Sequence, residues 1–417
     1  MSKLENLLKE FCPEGVEYKT VGDIATDIYR GSGITRDQIA AEGTPCVRYG
    51  EIYTTYGIWF DHCVSYTNKK LLTNPKYFEH GDILFAITGE NVEDIAKCTA
   101  YTGHECCLAG GDIVVLKHNQ NPKYLSYALS TSSARKQKGQ GKIKSKVVHS
   151  SVPSIKKIVI PVPPLEVQQE IVRILDQFTK LTAELTAELT ARKQQYKYYL
   201  DQLLEFEDES IWVELGTVAK SVNTGLNPRR FFKLNTDDAS NYYVTIRELQ
   251  NNSVVFSEKT DRINDEALRL CNNRSNLEIG DILFSGTGTI GETAVVEKAP
   301  TNWNIKEGVY SIKPLPEKLN SRFLMYVLHT NKIKTEIFKK VAGGTVKSIP
   351  MGELRKLKIP VPPMSKQERL VNLIDRFDAL CNDLTSGLPA EISARQKQYE
   401  YYRDKLLTFP ERKEADA

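Results

Sequence analysis

Two stretches of the chain carry apolar residues at steps of three, four and seven. In the first, Ile171, Leu175, Phe178, Leu185, Leu189, Tyr196, Tyr199 and Leu203 form one stripe. In the second, Leu370, Ile374, Phe377, Leu380, Leu384, Leu388, Ile392, Tyr399, Tyr402 and Leu406 do the same. Such spacing puts each set on one face of an α-helix. A helix of about 40 residues is about 60 Å long. A narrow stripe on so long a helix needs a partner helix, and the natural partner is the other stretch. If the two are related by a pseudo-two-fold, they run antiparallel. Their middles differ. The first holds a tandem Thr-Ala-Glu-Leu unit ending at Leu185 and Leu189, whereas the second reads Thr385-Ser386-Gly387-Leu388-Pro389-Ala390. Gly and Pro break or kink helices, so the pattern predicts one continuous helix in the first stretch and two segments in the second.

The segments 12–155 and 208–350 have another pattern. Short β-like runs (47–53, 82–87, 112–116, 242–246, 281–284 and 308–312) alternate with Gly-rich turns and a few helices. Each segment is large enough for its own core. The reading is α+β: two globular units, each followed by a long helix.

The two halves repeat each other. Ile-Pro-Val-Pro-Pro stands at 160–164 and again at 359–363; Gly-Asp-Ile-Leu-Phe stands at 81–85 and 280–284. Both pairs share an offset of 199, as do Tyr124-Leu125-Ser126-Tyr127 and Phe323-Leu324-Met325-Tyr326. Ala191-Arg192-Lys193-Gln194-Gln195-Tyr196 matches Ala394-Arg395-Gln396-Lys397-Gln398-Tyr399 at an offset of 203. Leu4-Glu5-Asn6-Leu7-Leu8 also echoes Leu200-Asp201-Gln202-Leu203-Leu204. If each unit is preceded by such a helix end, the arrangement is cyclic and the chain termini lie near each other.

Composition narrows the class. The 417 residues are 41% hydrophobic and 26% charged, ordinary for a globular protein, and the formal net charge is only +3. A polybasic protein is excluded, while local basic patches are not. No apolar run is long enough to span a bilayer, and the first ten residues alternate Leu with charge, unlike a signal peptide. The eight Cys include no CxxC and show no disulfide framework. The expectation is a cytoplasmic protein.

Catalytic signatures are sparse. Gly286-Thr287-Gly288-Thr289-Ile290-Gly291 has the form GxGxxG, yet its counterpart from Thr88 lacks it. A tight turn bringing backbone close to a ligand such as DNA is favoured over a dinucleotide site. There is no phosphate-binding GxxxxGK[ST] loop, no Asn/Asp-Pro-Pro-Tyr/Phe tetrapeptide and no Pro-Asp dipeptide. His104-Glu105-Cys106-Cys107 lacks the spacing of a structural zinc site, so no metal and no catalytic residue is assigned.

Basic residues do cluster, and in both halves. Arg135, Lys136, Lys138, Lys142, Lys144 and Lys146 precede the first Ile-Pro-Val-Pro-Pro; Lys339, Lys340, Thr345, Lys347 and Ser348 precede the second. Near the start of each globular segment stand Arg30, Ser32 and Arg36, and Thr224, Arg229 and Arg230. Charge runs are commonly solvated faces. Recurrence favours function, because Lys and Arg beside Gly, Ser and Thr suit phosphate contacts and Arg can read base edges. The candidate DNA-binding set comprises Arg30, Ser32, Arg36, Lys138, Lys142, Lys144, Lys146, Thr224, Arg229, Arg230, Thr287, Thr289, Thr345, Lys347 and Ser348.

On these residues the chain resembles the specificity subunits of type I restriction–modification enzymes. The resemblance covers essentially the whole length. Its most specific parts are the paired Ile-Pro-Val-Pro-Pro segments, each followed by Gln168-Gln169-Glu170-Ile171 or Gln367-Glu368-Arg369-Leu370, the tandem Thr-Ala-Glu-Leu units and the Arg-Lys-Gln-Gln-Tyr helices. The resemblance implies two target-recognition domains related by pseudo-two-fold symmetry, at 1–155 and 208–354. Long antiparallel helical regions at 156–207 and 355–417 would separate them as a coiled coil. It implies that each recognition domain reads one half of a split, asymmetric target on double-stranded DNA. The helices would set the spacer and dock two methyltransferase subunits through Ile171, Leu175, Phe178, Leu185, Leu189, Tyr196, Tyr199, Leu370, Ile374, Phe377, Tyr399 and Tyr402. S-adenosylmethionine, ATP and Mg would bind partner subunits, methyltransferase and restriction, and no cofactor this chain. Arg369 replaces Glu170 in the second copy, so the two docking surfaces are expected to differ. Two other readings have the same sequence behind them: a coiled-coil adaptor with protein-binding heads, and a self-contained DNA-modifying enzyme, which the missing motifs disfavour.

Overall fold

A computed structural model describes residues 2–140, 147–208, 211–343, 346–383 and 385–412. The chain divides into two compact units: Met1–Glu184 with Ser393–Ala417, and Leu185–Ile392. Both are α+β.

In unit 1 a five-stranded sheet runs in the order Ala25–Arg30, Ile113–His118, Ile83–Ala86, Cys98–Tyr101, Trp59–Phe60. A second five-stranded sheet is built from Ile39–Ala40, Ser65–Thr67, Thr44–Val47, Cys107–Ala109 and Tyr77–Phe78. In unit 2 the corresponding sheets have four strands (Ala219–Thr224, Val309–Pro314, Ile282–Ser285, Thr293–Val295) and three strands (Arg262–Ile263, Asn241–Val244, Trp303–Ile305). The β-like run at 47–53 is a correction: only its first residue is in a strand, and Tyr49–Thr54 is a helix.

The repeated motifs are explained by local physics. Gly81 and Gly280 both sit at positive φ (+94° and +89°), which glycine alone adopts without strain. The next residue turns its carboxylate back to cap the bend: Asp82 accepts from Glu79 N–H at 2.9 Å, and Asp281 from Glu278 N–H at 3.0 Å. Each carboxylate also meets a lysine from the neighbouring strand, Lys117 at 3.3 Å and Lys313 at 2.8 Å. The Ile-Leu-Phe that follows is wholly buried in both units. The Ile-Pro of the other motif pairs with the start of its own unit: Ile160 opposite Lys19, Ile359 opposite Val213. Proline is tolerated there because these are two-stranded sheets with a free side. A glutamine then locks each helix entry. Gln168 and Gln367 accept from Asn121 and Asn320 N–H (3.0 and 2.9 Å) and donate to Pro163 and Pro362 C=O (2.7 and 2.8 Å).

The helices follow the stripes. Leu165–Leu203 is one helix of 39 residues; its second-copy counterpart is split into Met364–Asn382 and Leu388–Leu406. Gly387 lies in the break, where a Cβ would stand 2.5 Å from Ala379 O. The two copies pair antiparallel within each unit. In unit 1, Phe178 stacks on Tyr402 (5.4 Å between centroids), while Leu175 shares a core with Leu407. In unit 2, Tyr199 stacks on Phe377 (6.0 Å), while Leu204 shares a core with Val371 and Ile374.

Three of the helix residues expected to dock a partner are corrected: Ile171, Leu175 and Ile374 are buried in the cores of their own units, so they hold the fold and present nothing to a partner. Tyr196, Leu370 and Tyr399 are half-buried against those cores. Leu185 and Leu189 are half-buried, and Tyr199 and Tyr402 keep an exposed edge. Among the described residues, no helix is long and apolar enough to cross a membrane.

Candidate nucleic-acid interface

In each unit, loops far apart in sequence meet along one edge. In unit 2 the strand Ala219–Thr224 ends at Gly225, where a Cβ would lie 1.8 Å from Ile305 O; only glycine permits that approach. The chain beyond it pairs with the turn at Lys306, Glu307 N–H donating to Leu226 O at 3.1 Å. Gly308 C=O accepts from Gly286 N–H at 2.8 Å, which brings in the Gly-rich loop. That loop in turn holds the basic segment: Gly288 N–H donates to Lys347 O and Ile349 N–H to Gly286 O, both at 2.9 Å.

Unit 1 repeats the arrangement. A Cβ on Gly31 would lie 2.2 Å from Gly110 O, and Ser32 N–H donates to Ala109 O at 2.8 Å. Ile87 N–H donates to Asp112 O at 2.9 Å, and Ser150 N–H to Ile87 O at 2.8 Å. The last of these is the same bond, at an offset of 199, as that between Ile349 and Gly286. The initial turn, the Gly-rich loop and the basic stretch were separate candidates in the sequence. The fold joins them into one edge in unit 2, and the described backbone of unit 1, from Gly31 through Ile87 to Ser150, pairs in the same way.

Arg36, Arg229, Arg230, Thr289 and Lys347 are exposed, while Ser32, Thr287 and Ser348 are half-buried. Arg30 is exposed but already engaged: its guanidinium pairs with Asp112 at 2.7 Å and donates to Gly111 O. Ser32 Oγ donates to Asn74 O. Lys142, Lys144, Lys146 and Thr345 lie outside the described residues.

Two candidates are corrected. Lys138 is 7% exposed; its Nζ lies 3.6 Å from Cys98 Sγ and over the Phe85 ring, and burial lowers its pKa. It sits on the helix Ser132–Gly139 at the position filled in unit 2 by buried Ile337, so it faces the core and reaches no phosphate. Thr224 is also buried, its hydroxyl donating to Val309 O and accepting from Gly308 N–H, both at 3.2 Å. It shapes the turn and is unavailable to a ligand.

The sequence reading missed the central turn. Lys306 and Glu307 are exposed between the initial turn and the Gly-rich loop, and Gly110, Gly111 and Asp112 hold that place in unit 1. They carry no shared motif; their signal was position alone, just before the strands Ile113–His118 and Val309–Pro314. The edge offers backbone, hydroxyl, Arg and Lys groups, the donor set that contacts phosphates and base edges. Among the described residues, no group of three or more His, Cys, Asp and Glu side chains could hold a metal ion.

The chain belongs to the family of type I restriction modification DNA specificity domains, which residues 13–192 and 209–394 match separately. Within it, the chain is similar to a type I restriction enzyme specificity subunit of Escherichia coli: 35% identical over 307 residues, covering 69% of this chain and 71% of that one. A putative specificity subunit of Haemophilus influenzae is also 35% identical, over 61% of this chain and 65% of its own. A chain solved in a study of complex assembly and conformational transition of the type I restriction–modification system has the same fold. Its TM-score is 0.62 at 17% identity, covering 95% of this chain and 98% of that one.

Proposed function

We propose that the chain is the DNA-reading, non-catalytic subunit of a type I restriction–modification complex in the cytoplasm of a prokaryote. Segments 1–155 and 208–354 each read one half of a bipartite target. Segments 156–207 and 355–417 set the spacer and dock two methyltransferase subunits. Restriction subunits complete the assembly, and S-adenosylmethionine, ATP and Mg belong to those partners.

The observation that carries this reading is the recurrence of one edge with different side chains. Among the described residues, unit 2 presents Arg229, Arg230, Lys306 and Lys347, and the equivalent edge of unit 1 presents Arg36 and an Arg30 already paired with Asp112. Equal backbones hold the two edges alike on DNA, and unequal side chains make them read different bases. The target is therefore asymmetric.

The test is methyl transfer from labelled S-adenosylmethionine. The chain alone transfers none, and adding its methyltransferase partner gives sequence-specific transfer to adenine. Turnover by the chain alone contradicts the reading, and so does partner activity that ignores this chain.

A further inference from the structure

The N-terminal helix Lys3–Phe11 lies in unit 1, and the place it occupies is marked chemically. Lys3 Nζ stands 3.0 Å from the Glu170 carboxylate, which Arg173 also holds at 2.7 Å. Glu170 is only 2% exposed, and its hydrogen bonds to Arg173 and Lys3 pull its pKa down to about 2. Leu4 of the helix is buried, and Leu7, Leu8 and Ile174 pack against the same core.

The internal repeat supplies the control. An offset of 199 puts Arg369 at the place of Glu170 and Leu373 at that of Ile174. Both are exposed, Leu373 by 40%, and Arg369 makes no ion pair among the described residues. Among the described residues, unit 2 thus leaves exposed at Arg369 and Leu373 the helix face that Lys3–Phe11 engages in unit 1, with Arg in place of Glu.

We infer that Arg369 and Leu373 form a docking face for an amphipathic helix of the methyltransferase partner, one bearing Asp or Glu near its N-terminus and leucine-like residues beside it. The inference rests on the function proposed above, which supplies the partner. The charge selects the occupant. The N-terminal helix of a second copy would bring Lys3 against Arg369, a like-charge contact. A carboxylate in the first turn of a helix suits both Arg369 and the helix dipole. Because the equivalent place in unit 1 is filled by Lys3–Phe11, only one of two methyltransferase copies can dock this way, and the two are held unequally.

Titration of the full chain with its methyltransferase, followed by native mass spectrometry, tests this. In Arg369→Glu and Leu373→Asp, affinity for one methyltransferase copy should fall by about tenfold or more. The melting temperature of the free chain should stay unchanged, since both side chains are exposed. A photo-cross-linking residue in place of Leu373 should capture an acidic, amphipathic methyltransferase peptide. Binding of both copies as tightly as by the unsubstituted chain overturns the inference and leaves the proposed function standing. A cross-link to a second copy of this chain also overturns it. An unsubstituted chain that binds no methyltransferase overturns both.

Discussion

The Asp404 carboxylate accepts the backbone N–H of Ser132 at 3.3 Å, across 272 residues of chain. Its counterpart is Asp201, which accepts from Asn331 N–H at 2.7 Å and pairs with the Asn331 side chain. The helix starting at Ser132 is thus met by the second-copy helix end, and the one starting at Asn331 by the first-copy end. The arrangement is cyclic. Val16 N–H donates to Pro410 O at 2.9 Å and Arg412 N–H to Val16 O at 3.0 Å, so the two chain ends meet in unit 1. The echo between Leu4–Leu8 and Leu200–Leu204 needs correcting, however. Leu407 and Phe409 pack in unit 1 as Leu204 and Phe206 do in unit 2, so Lys3–Phe11 is an addition with no counterpart there.

These contacts predict matched losses. Asp404→Ala and Asp201→Ala each remove a carboxylate from a helix start and should destabilise the protein by about 1 kcal/mol, the usual worth of a capping group. Asp404→Ala should cost more, because it also strips the buried Arg403 guanidinium of the carboxylate it donates to at 2.7 Å, whereas the Asn331 side chain that Asp201→Ala releases is exposed and can turn to water. Urea denaturation of the two variants checks the order.

The helix Leu165–Leu203 was legible because its stripe is local: every signal for it lies within a few turns, as do Gly387 and Pro389, which divide its counterpart. The candidate DNA-binding edge was legible only in pieces. Thr287 meets Ser348 through long-range backbone pairing that no local pattern announces. Lys138 misled for a related reason. In a run of lysines nothing local distinguishes the one whose helix face is turned inward, and its buried equivalent Ile337 becomes informative only once the helices are placed.

Lys347 and Lys138 therefore separate by experiment. Lys347→Ala should weaken DNA binding by the complex and lower the slope of log affinity against log salt by about 1, as for one phosphate contact. Lys138→Ile should leave that slope unchanged and raise stability by about 1–2 kcal/mol, because it removes a buried amine whose partner is a thiol. Binding titrations at several salt concentrations, with denaturation of each variant, decide it.

Acid should loosen unit 2 through His329. Its Nε2 lies 2.8 Å from Thr293 Oγ1, and burial, aided by Lys334, pushes its pKa down to about 4. A histidine held neutral in the fold and titrating near 6.5 when unfolded stabilises the protein fully above pH 6.5; that stability is lost as pH falls through 4. The loss across this window should be about 3 kcal/mol. His329→Gln should flatten the dependence of unfolding free energy on pH between 6.5 and 4; a curve parallel to that of the unsubstituted protein would contradict the assignment.

Deleting one Thr-Ala-Glu-Leu unit, residues 186–189, shortens the helix by about 6 Å and removes about 40° beyond a full turn. At about 3.4 Å per base pair, the unread spacer of the target should shrink by one or two base pairs while both half-sites stay the same. Sequencing of modified bases in cells carrying the variant reads this directly, and an unchanged spacer with retained activity would remove the helix as the measure of the gap.

The most direct measurement of the central claim is the adenine methylome of a strain with this gene, compared with the same strain lacking it. The account predicts one motif that disappears with the gene: two dissimilar half-sites, each carrying methylated adenine, separated by a fixed run of unread bases. A methylome that does not change, or a lost motif that is continuous or palindromic, would contradict it.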